Sequence, residues 1–262
     1  MKVITWNIRR ATKSSDAWKI ISDLNPDIAL LQEVNTIPDD INKAFSVKFK
    51  KAINKNGKEQ KFGTAILVKG KIVADLKLSS KYDWVNKELD YFDGNLISCT
   101  AKLDNDLKFN IISVYSPAWP VNPDRIKNID VSAVKLKKDA KVWMTEVLWS
   151  ALKNIKLNKS NWVIGGDLNS SETFDSTWAT GGNKEILDRM DDLGFTECLR
   201  GYNGKLVPTF RNPREGVIIH QLDHLFVTNK LFSTLKKCEV GNKFDIFKKS
   251  ISDHLPIIAN FK

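Results

Sequence analysis

Short apolar runs that stop abruptly at a polar or charged residue mark the first part of the chain. Residues 2–6 and 28–33 each read as a buried strand, because an apolar stretch closed by polar groups suits a segment covered on both faces. Between them the apolar spacing becomes helical. Ala17, Ile20, Ile21 and Leu24 share one face, Ser14 or Ser15 stands where a cap belongs, and Asn25-Pro26 ends the run. Proline disfavours helical backbone in the residue before it. This strand–helix–strand opening puts Asn7 and Glu33 at the C-terminal ends of two strands, where layered α/β proteins gather their sites.

The middle of the chain is strand-rich. Residues 52–57 and 64–68 predict strands joined by a long loop around Asn56-Gly57, and strand-like runs continue at 71–78, 95–102 and 107–115. A helix is predicted over 135–157, with Met144, Leu148, Ala151, Leu152 and Ile155 on one face. Trp162-Val163-Ile164 is a buried strand leading into Gly165-Gly166-Asp167, where the glycines allow close approach or a sharp bend. A further helix near 183–193 ends at Gly194, and the last strands are 217–228 and 255–261. Many strands with few, separated helices predict two packed sheets with helices outside.

Composition narrows the class only a little. The 262 residues are 42% hydrophobic and 27% charged, an ordinary globular balance, and no linker or repeat divides them. The formal charge of +10 favours polyanionic partners, although solubility alone would account for it equally well. Cys99, Cys198 and Cys238 are scattered and odd in number, which argues against a disulfide framework or a zinc site. With no signal-peptide core after Met1 and no run long enough to span a bilayer, the expectation is a cytoplasmic protein without a membrane or an obligate protein partner.

Five segments carry the candidate chemistry: Thr5-Trp6-Asn7-Ile8-Arg9, Leu31-Gln32-Glu33-Val34, Gly165-Gly166-Asp167-Leu168-Asn169, Gln221-Leu222-Asp223-His224 and Ser252-Asp253-His254-Leu255-Pro256. Oxygen-rich groups at the ends of apolar runs suit a hard cation and a phosphate, not a thiol-seeking metal. In this order the segments resemble the endonuclease/exonuclease/phosphatase superfamily, with its exonuclease III and AP endonuclease-like branch favoured. The resemblance runs from Asn7 to His254. It implies one α/β domain over 1–262, a four-layered α/β/β/α sandwich of two mixed sheets flanked by helices, as in deoxyribonuclease I.

The resemblance also implies roles. Glu33, Asn7 and Asp253 would hold Mg²⁺ or Mn²⁺ directly or through water; Asp167 would orient or deprotonate the attacking water; and Asn169 would hold the phosphate. Asp223 would orient His254, whose other ring edge would meet a phosphate oxygen. Tyr115, closing Val114-Tyr115, stands where exonuclease III-like members carry a phosphate-contacting tyrosine. His220 and His224 read better as structural residues. Arg9 departs from the pattern, since nucleases of this type often have an acidic residue there. An arginine cannot ligate a metal but can grip phosphate, which leaves a second metal position in doubt. Arg10 beside it reads as a surface residue.

Lysines at 43–61 with Phe45, Phe49 and Phe62, and basic residues at 205–214 around Phe210, could track a phosphate backbone while rings stack on bases. For the lysine run alone, a solvated strand pair with core aromatics is the better reading. Taken together, the expectation is a metal-dependent phosphodiesterase acting on nucleic acid, DNA before RNA. The alternatives are a phosphatase or phosphodiesterase for a small or lipid phosphate and a non-catalytic binding module of the same fold.

Overall fold

The computed structural model describes residues 1–155, 157, 160–177 and 181–262. Among these, the strands are β1 (Lys2–Ala11), β2 (Ile28–Val34), β3 (Ser46–Ile53), β4 (Glu59–Val68), β5 (Gly70–Asp75), β6 (Leu96–Leu103), β7 (Lys108–Tyr115), β8 (Asn161–Asp167), β9 (Phe195–Glu197), β10 (Asp223–Thr228), β11 (Leu235–Val240) and β12 (Ile257–Phe261). They form two six-stranded sheets, in the orders β11-β12-β1-β2-β4-β3 and β5-β6-β7-β8-β10-β9. Both are mixed: β1 runs parallel to β2 and β7 parallel to β8, with antiparallel partners around them.

Strand alternation sorts the apolar residues into layers. Val3, Ile28, Leu30 and Ile66 of the first sheet meet Ile97, Ile111, Val163 and Leu225 of the second in the central core. Ile4, Trp6 and Ile8 face the opposite way, against Ala17, Trp18 and Ile21 of the helix Asp16–Leu24. On the far side, Ile112, Val114, Ile164 and Phe226 meet Trp84 and Val85 of the helix Asp83–Tyr91 and Leu148 of the helix Met144–Leu152. The result is the expected α/β/β/α sandwich. Burying side chains of this size contributes about 1.5–3 kcal/mol each.

Several elements differ from the sequence-based expectation. β1 continues past residue 6 to Ala11, with Arg9 and Arg10 in left-handed backbone (φ 49° and 57°) and a break in its register with β2 between Asn7 and Ala11. The hairpin turn is short, because β4 starts at Glu59; Asn54 closes it by accepting the Gly57 N–H and donating to the Lys58 carbonyl. The helix over 135–157 shrinks to Met144–Leu152, and Lys156 lies outside the described residues. The buried Glu146 carboxylate explains its start, since it accepts the N–H groups of Trp143 (3.1 Å) and Leu136 (3.5 Å) and holds the preceding segment out of the helix. The run 217–228 is regular only from Asp223, because the Thr209 hydroxyl accepts the N–H groups of Leu222 and Asp223 at 3.1 Å.

Candidate active site

The alternation that builds the core also delivers polar side chains between the sheets at one end. Asn7, the residue after the outward-facing Trp6, lies on the inner face of β1, and Gln32 pairs with it in register on β2. On the second sheet, Tyr115, Asp167 and Asp223 are neighbours across β7, β8 and β10. Two glycines permit this convergence. A Cβ on Gly165 would lie 2.9 Å from the Leu30 side chain of the opposite sheet, and one on Gly166, at φ 153°, would lie 1.8 Å from the Val114 carbonyl oxygen.

A hydrogen-bonded chain crosses the gap. Asn7 Nδ2 donates to Asp167 Oδ2 at 3.0 Å and reaches Glu33 Oε1 at 3.4 Å. Asp167 Oδ1 accepts the Asn169 N–H at 2.9 Å, and Asn169 Nδ2 donates to the Ser116 carbonyl at 2.7 Å. His254 Nδ1 lies 2.8 Å from Asp223 Oδ2, while its Nε2 faces Asp167 Oδ2 at 3.8 Å. Trp6 Nε1 donates to the His254 carbonyl, and Ser252 Oγ donates to the Asn7 carbonyl while accepting the His254 N–H. The backbone is strained here, with Glu33 and Asn169 at φ 54° and 47°, a condition that clusters at functional sites.

The electrostatics follow from burial and charge. Burial opposes charge on His254, but Asp223 and Asp167 outweigh it and hold the imidazole above its ordinary value. Asp223 is fully buried and its Oδ1 has no hydrogen-bond partner, so its charge bears on the ring undiluted. Burial pushes the Asp167 carboxyl up to about 7, with Asp223 reinforcing and His254 opposing. Burial and the neighbouring Glu33 and Asp167 push the Tyr115 phenol well up, so it stays protonated and able to donate.

Two groups could hold a metal. Ligand atoms of Asp167, Asp223 and His254 lie within 4.8 Å of one another, but the imidazole Nδ1 is taken by Asp223, which suits proton handling better. Glu33 and Asp253 instead retain partly accessible carboxylates, with Arg10 Nε at 3.6 Å and Arg9 Nε at 3.9 Å respectively. These distances exceed those of close charge-assisted hydrogen bonds. Oxygen donors held so loosely fit a hard divalent cation. Asn7 differs from the expectation of an oxygen ligand: its Oδ1 accepts the Arg9 N–H at 3.0 Å, so its N–H groups face the carboxylates.

The structure thus brings Asn7, Glu33, Tyr115, Asp167, Asn169, Asp223 and His254 together, with Arg9 and Asp253 at the same edge. Its sequence context marks Arg10 as a surface residue. It is exposed, yet it pairs with Glu33 and lies over the Phe62 ring at 5.1 Å, and Phe62 packs edge-on against Tyr115. Adjacency to Arg9 in a strand end was its only signal. Sequence reasoning also missed Ser252 as a brace, because its role depends on a contact 245 residues away. His224 turns outward, is buried and bonds the Ser170 carbonyl; His220 bonds Thr173 Oγ1 and packs against Phe174. Lys48, Lys50 and Lys51 pair with Asp75, Asp93 and Glu59, while Phe45 and Phe62 are buried. Phe210 lies 4.9 Å from the His254 ring.

A model of the Endonuclease/Exonuclease/phosphatase family matches residues 4–254. A comparison with curated proteins gives no match. Among solved structures, an AP endonuclease from Archaeoglobus fulgidus is similar with TM-score 0.70 and 19% identity, covering 100% of this chain and 99% of that one. A 3'-5' exonuclease from Neisseria meningitidis gives TM-score 0.67 and 18% identity over 100% of both chains. A 3' phosphatase from Neisseria bound to a product DNA hairpin gives TM-score 0.64 and 18% identity, covering 100% of this chain and 99% of that one. At such identities the likeness is one of fold.

Proposed function

Because the chain belongs to the endonuclease/exonuclease/phosphatase family, whose members are generally hydrolases of phosphodiester bonds, we propose that it is a divalent-metal-dependent phosphodiesterase that hydrolyses nucleic acid, DNA before RNA. One observation carries this reading: the buried chain Asn7–Asp167 with His254–Asp223, opening beside the accessible carboxylate of Glu33.

Glu33 and Asp253 would hold Mg²⁺ or Mn²⁺, with the Asn7 amide donating to Glu33 from behind. When bound, the cation supplies Lewis-acid polarisation of the scissile phosphate and stabilises the leaving oxygen. The remaining work belongs to the chain's own groups. Asp167 Oδ2, held by Asn7, accepts the proton of the attacking water and aligns it. His254, kept protonated by Asp223, donates from Nε2 to a non-bridging phosphate oxygen. Tyr115 donates to the same group as its charge grows, Asn169 does so once its longer amide bond to Asp167 Oδ2 (3.3 Å) is given up, and Arg9 meets a neighbouring phosphate. Each donor aimed at developing charge typically contributes roughly 100- to 1000-fold in rate.

DNA is favoured because solved structures of similar fold include DNA-acting enzymes, one with a DNA hairpin bound. The net charge of +10 agrees. A single domain over 1–262 is supported by the shared core of the two sheets and by the pairing of β1 with β12. The three buried free cysteines suit a reducing cytoplasm, and among the described residues no helix is long and apolar enough to cross a membrane. The test is cleavage of end-labelled single-stranded, duplex and abasic-site DNA and of RNA, with Mg²⁺ or Mn²⁺, each reaction paired with EDTA. Loss of activity on every polymer, with hydrolysis of a small phosphoester retained, would move the assignment to a small-molecule phosphoesterase.

A further inference from the structure

The outer face of the second sheet turns polar at the end opposite the reaction centre. Along β7, Ile112 and Val114 sit in the outer core, and strand alternation places Asn110 on the same face. Thr100 stands opposite Asn110 on β6, and Thr228 shares the face of Phe226 on β10. These three residues border a cavity of about 450 Å³, within the size range of small-molecule sites. Asn110 and Tyr115 lie towards opposite ends of β7, which sets the cavity roughly 17 Å from Tyr115.

The lining is rich in uncommitted donors. Among the described residues no carboxylate lines the cavity, and Lys108 and Lys230 on its rim are exposed and form no ion pair. Thr100 Oγ1 donates to Asn110 Oδ1 at 2.9 Å, and Thr196 Oγ1 donates to Asn229 Oδ1 at 2.8 Å. Both bonds use the amide oxygen, which leaves Asn110 Nδ2 and Asn229 Nδ2 free to donate. Thr228 in the wall is only 5% exposed, and its hydroxyl has no hydrogen-bond partner. Two ammonium groups and two amide donors select an anion, and paired lysines match the double charge of a terminal phosphate. Leu157 and Leu193 add apolar surface beside them, which suits an organic group attached to that phosphate.

We propose that this cavity binds a small organic phosphomonoester, such as a free nucleotide, at a site separate from the reaction centre. A concave site of this size takes a terminal phosphate and its substituent, not a continuous polymer backbone. The proposal stands apart from the hydrolase reading, because binding here needs neither a metal nor turnover.

The test uses the full chain, isotope-labelled for NMR and kept in EDTA, titrated with deoxyadenosine monophosphate, deoxyadenosine and inorganic phosphate. The side-chain amide signals of Asn110 and Asn229 should move saturably with the nucleotide and stay in place with the nucleoside. Inorganic phosphate should move them at concentrations roughly 3- to 10-fold higher, because it leaves the leucines uncovered. Lys108→Glu combined with Lys230→Glu should weaken nucleotide binding roughly 10-fold or more, while the corresponding pair of arginine substitutions should stay within about threefold of the unaltered protein. Both lysines are exposed, so these variants should fold, and a thermal melt checks that they do. Equal shifts with the nucleoside, a response that never saturates, or an unchanged double glutamate variant would overturn the proposal. Shifts confined to Tyr115, Asp167 and His254 would place the nucleotide at the reaction centre and overturn it too. Saturable binding in a protein that hydrolyses no phosphoester would uphold this site while contradicting the hydrolase reading.

Discussion

At the scale of single residues, the site is a set of charges whose partners decide their state. Asp223 makes this plain, because its fully buried carboxylate has His254 Nδ1 as its tight partner at 2.8 Å. Asp223→Asn keeps the shape but removes the charge that holds the imidazole above its ordinary value. The expected outcome is a folded protein whose turnover falls about 100-fold or more and whose His254 titrates lower when followed by NMR. Arg10 offers a contrasting case. Its pair with Glu33 is exposed and loose at 3.6 Å, so Arg10→Ala should change stability by less than about 1 kcal/mol. If the guanidinium meets a phosphate, the same substitution should reduce the slope of log K against log salt for DNA binding by about 1. A slope equal to that of the unaltered protein would return Arg10 to the surface role its sequence context suggests.

At the scale of elements, two buried features carry more than their neighbours. Gly166 lies in β8 with the Val114 carbonyl oxygen where a Cβ would stand, so Gly166→Ala should destabilise by on the order of 3 kcal/mol in urea unfolding. Glu146 pins the start of the helix Met144–Leu152, and burial pushes its carboxyl from 4.5 up to about 8. Between those values the folded state holds a proton that the unfolded chain has released, so the contribution of this group to stability is fully present below 4.5 and is lost as pH rises through about 8. Thermal melts across that window should show the fall, and Glu146→Gln should reduce it, leaving the part that the buried Asp167 contributes. The same residue explains what the sequence concealed. Helical periodicity around Met144, Leu148, Ala151 and Leu152 was readable, but the stop at Trp143 depends on a carboxylate reaching back to Leu136. In like manner β1 was legible to Trp6, while Arg9 and Arg10 in left-handed backbone carry no sequence signal, since glycine is the usual mark of that conformation. The carboxylates, Asn169 and His254 were legible because each closes or follows an apolar run. Ser252, Trp6 and Thr209 were not, because their bonds run to distant segments or to backbone atoms.

At the scale of the whole molecule, two sheets leave one end of their interface polar, and each contributes half of the site: Asn7 and Glu33 from one, Tyr115, Asp167 and Asp223 from the other. His254 precedes β12 and is tied to β1 through Trp6 Nε1. A site divided in this way needs both sheets in register, so loss of sheet packing should abolish activity and cation binding together. The +10 charge acts over a longer range, and polymer binding should weaken steeply with salt while hydrolysis of a small neutral-tailed diester changes little. The most direct measurement is a time course on end-labelled DNA with Mg²⁺ or Mn²⁺, run beside EDTA and the Glu33→Ala and Asp167→Ala variants. The account predicts cleavage that disappears with EDTA and falls about 100-fold or more in both folded variants. Full activity in a folded Asp167→Ala protein, or cleavage indifferent to EDTA, would contradict it.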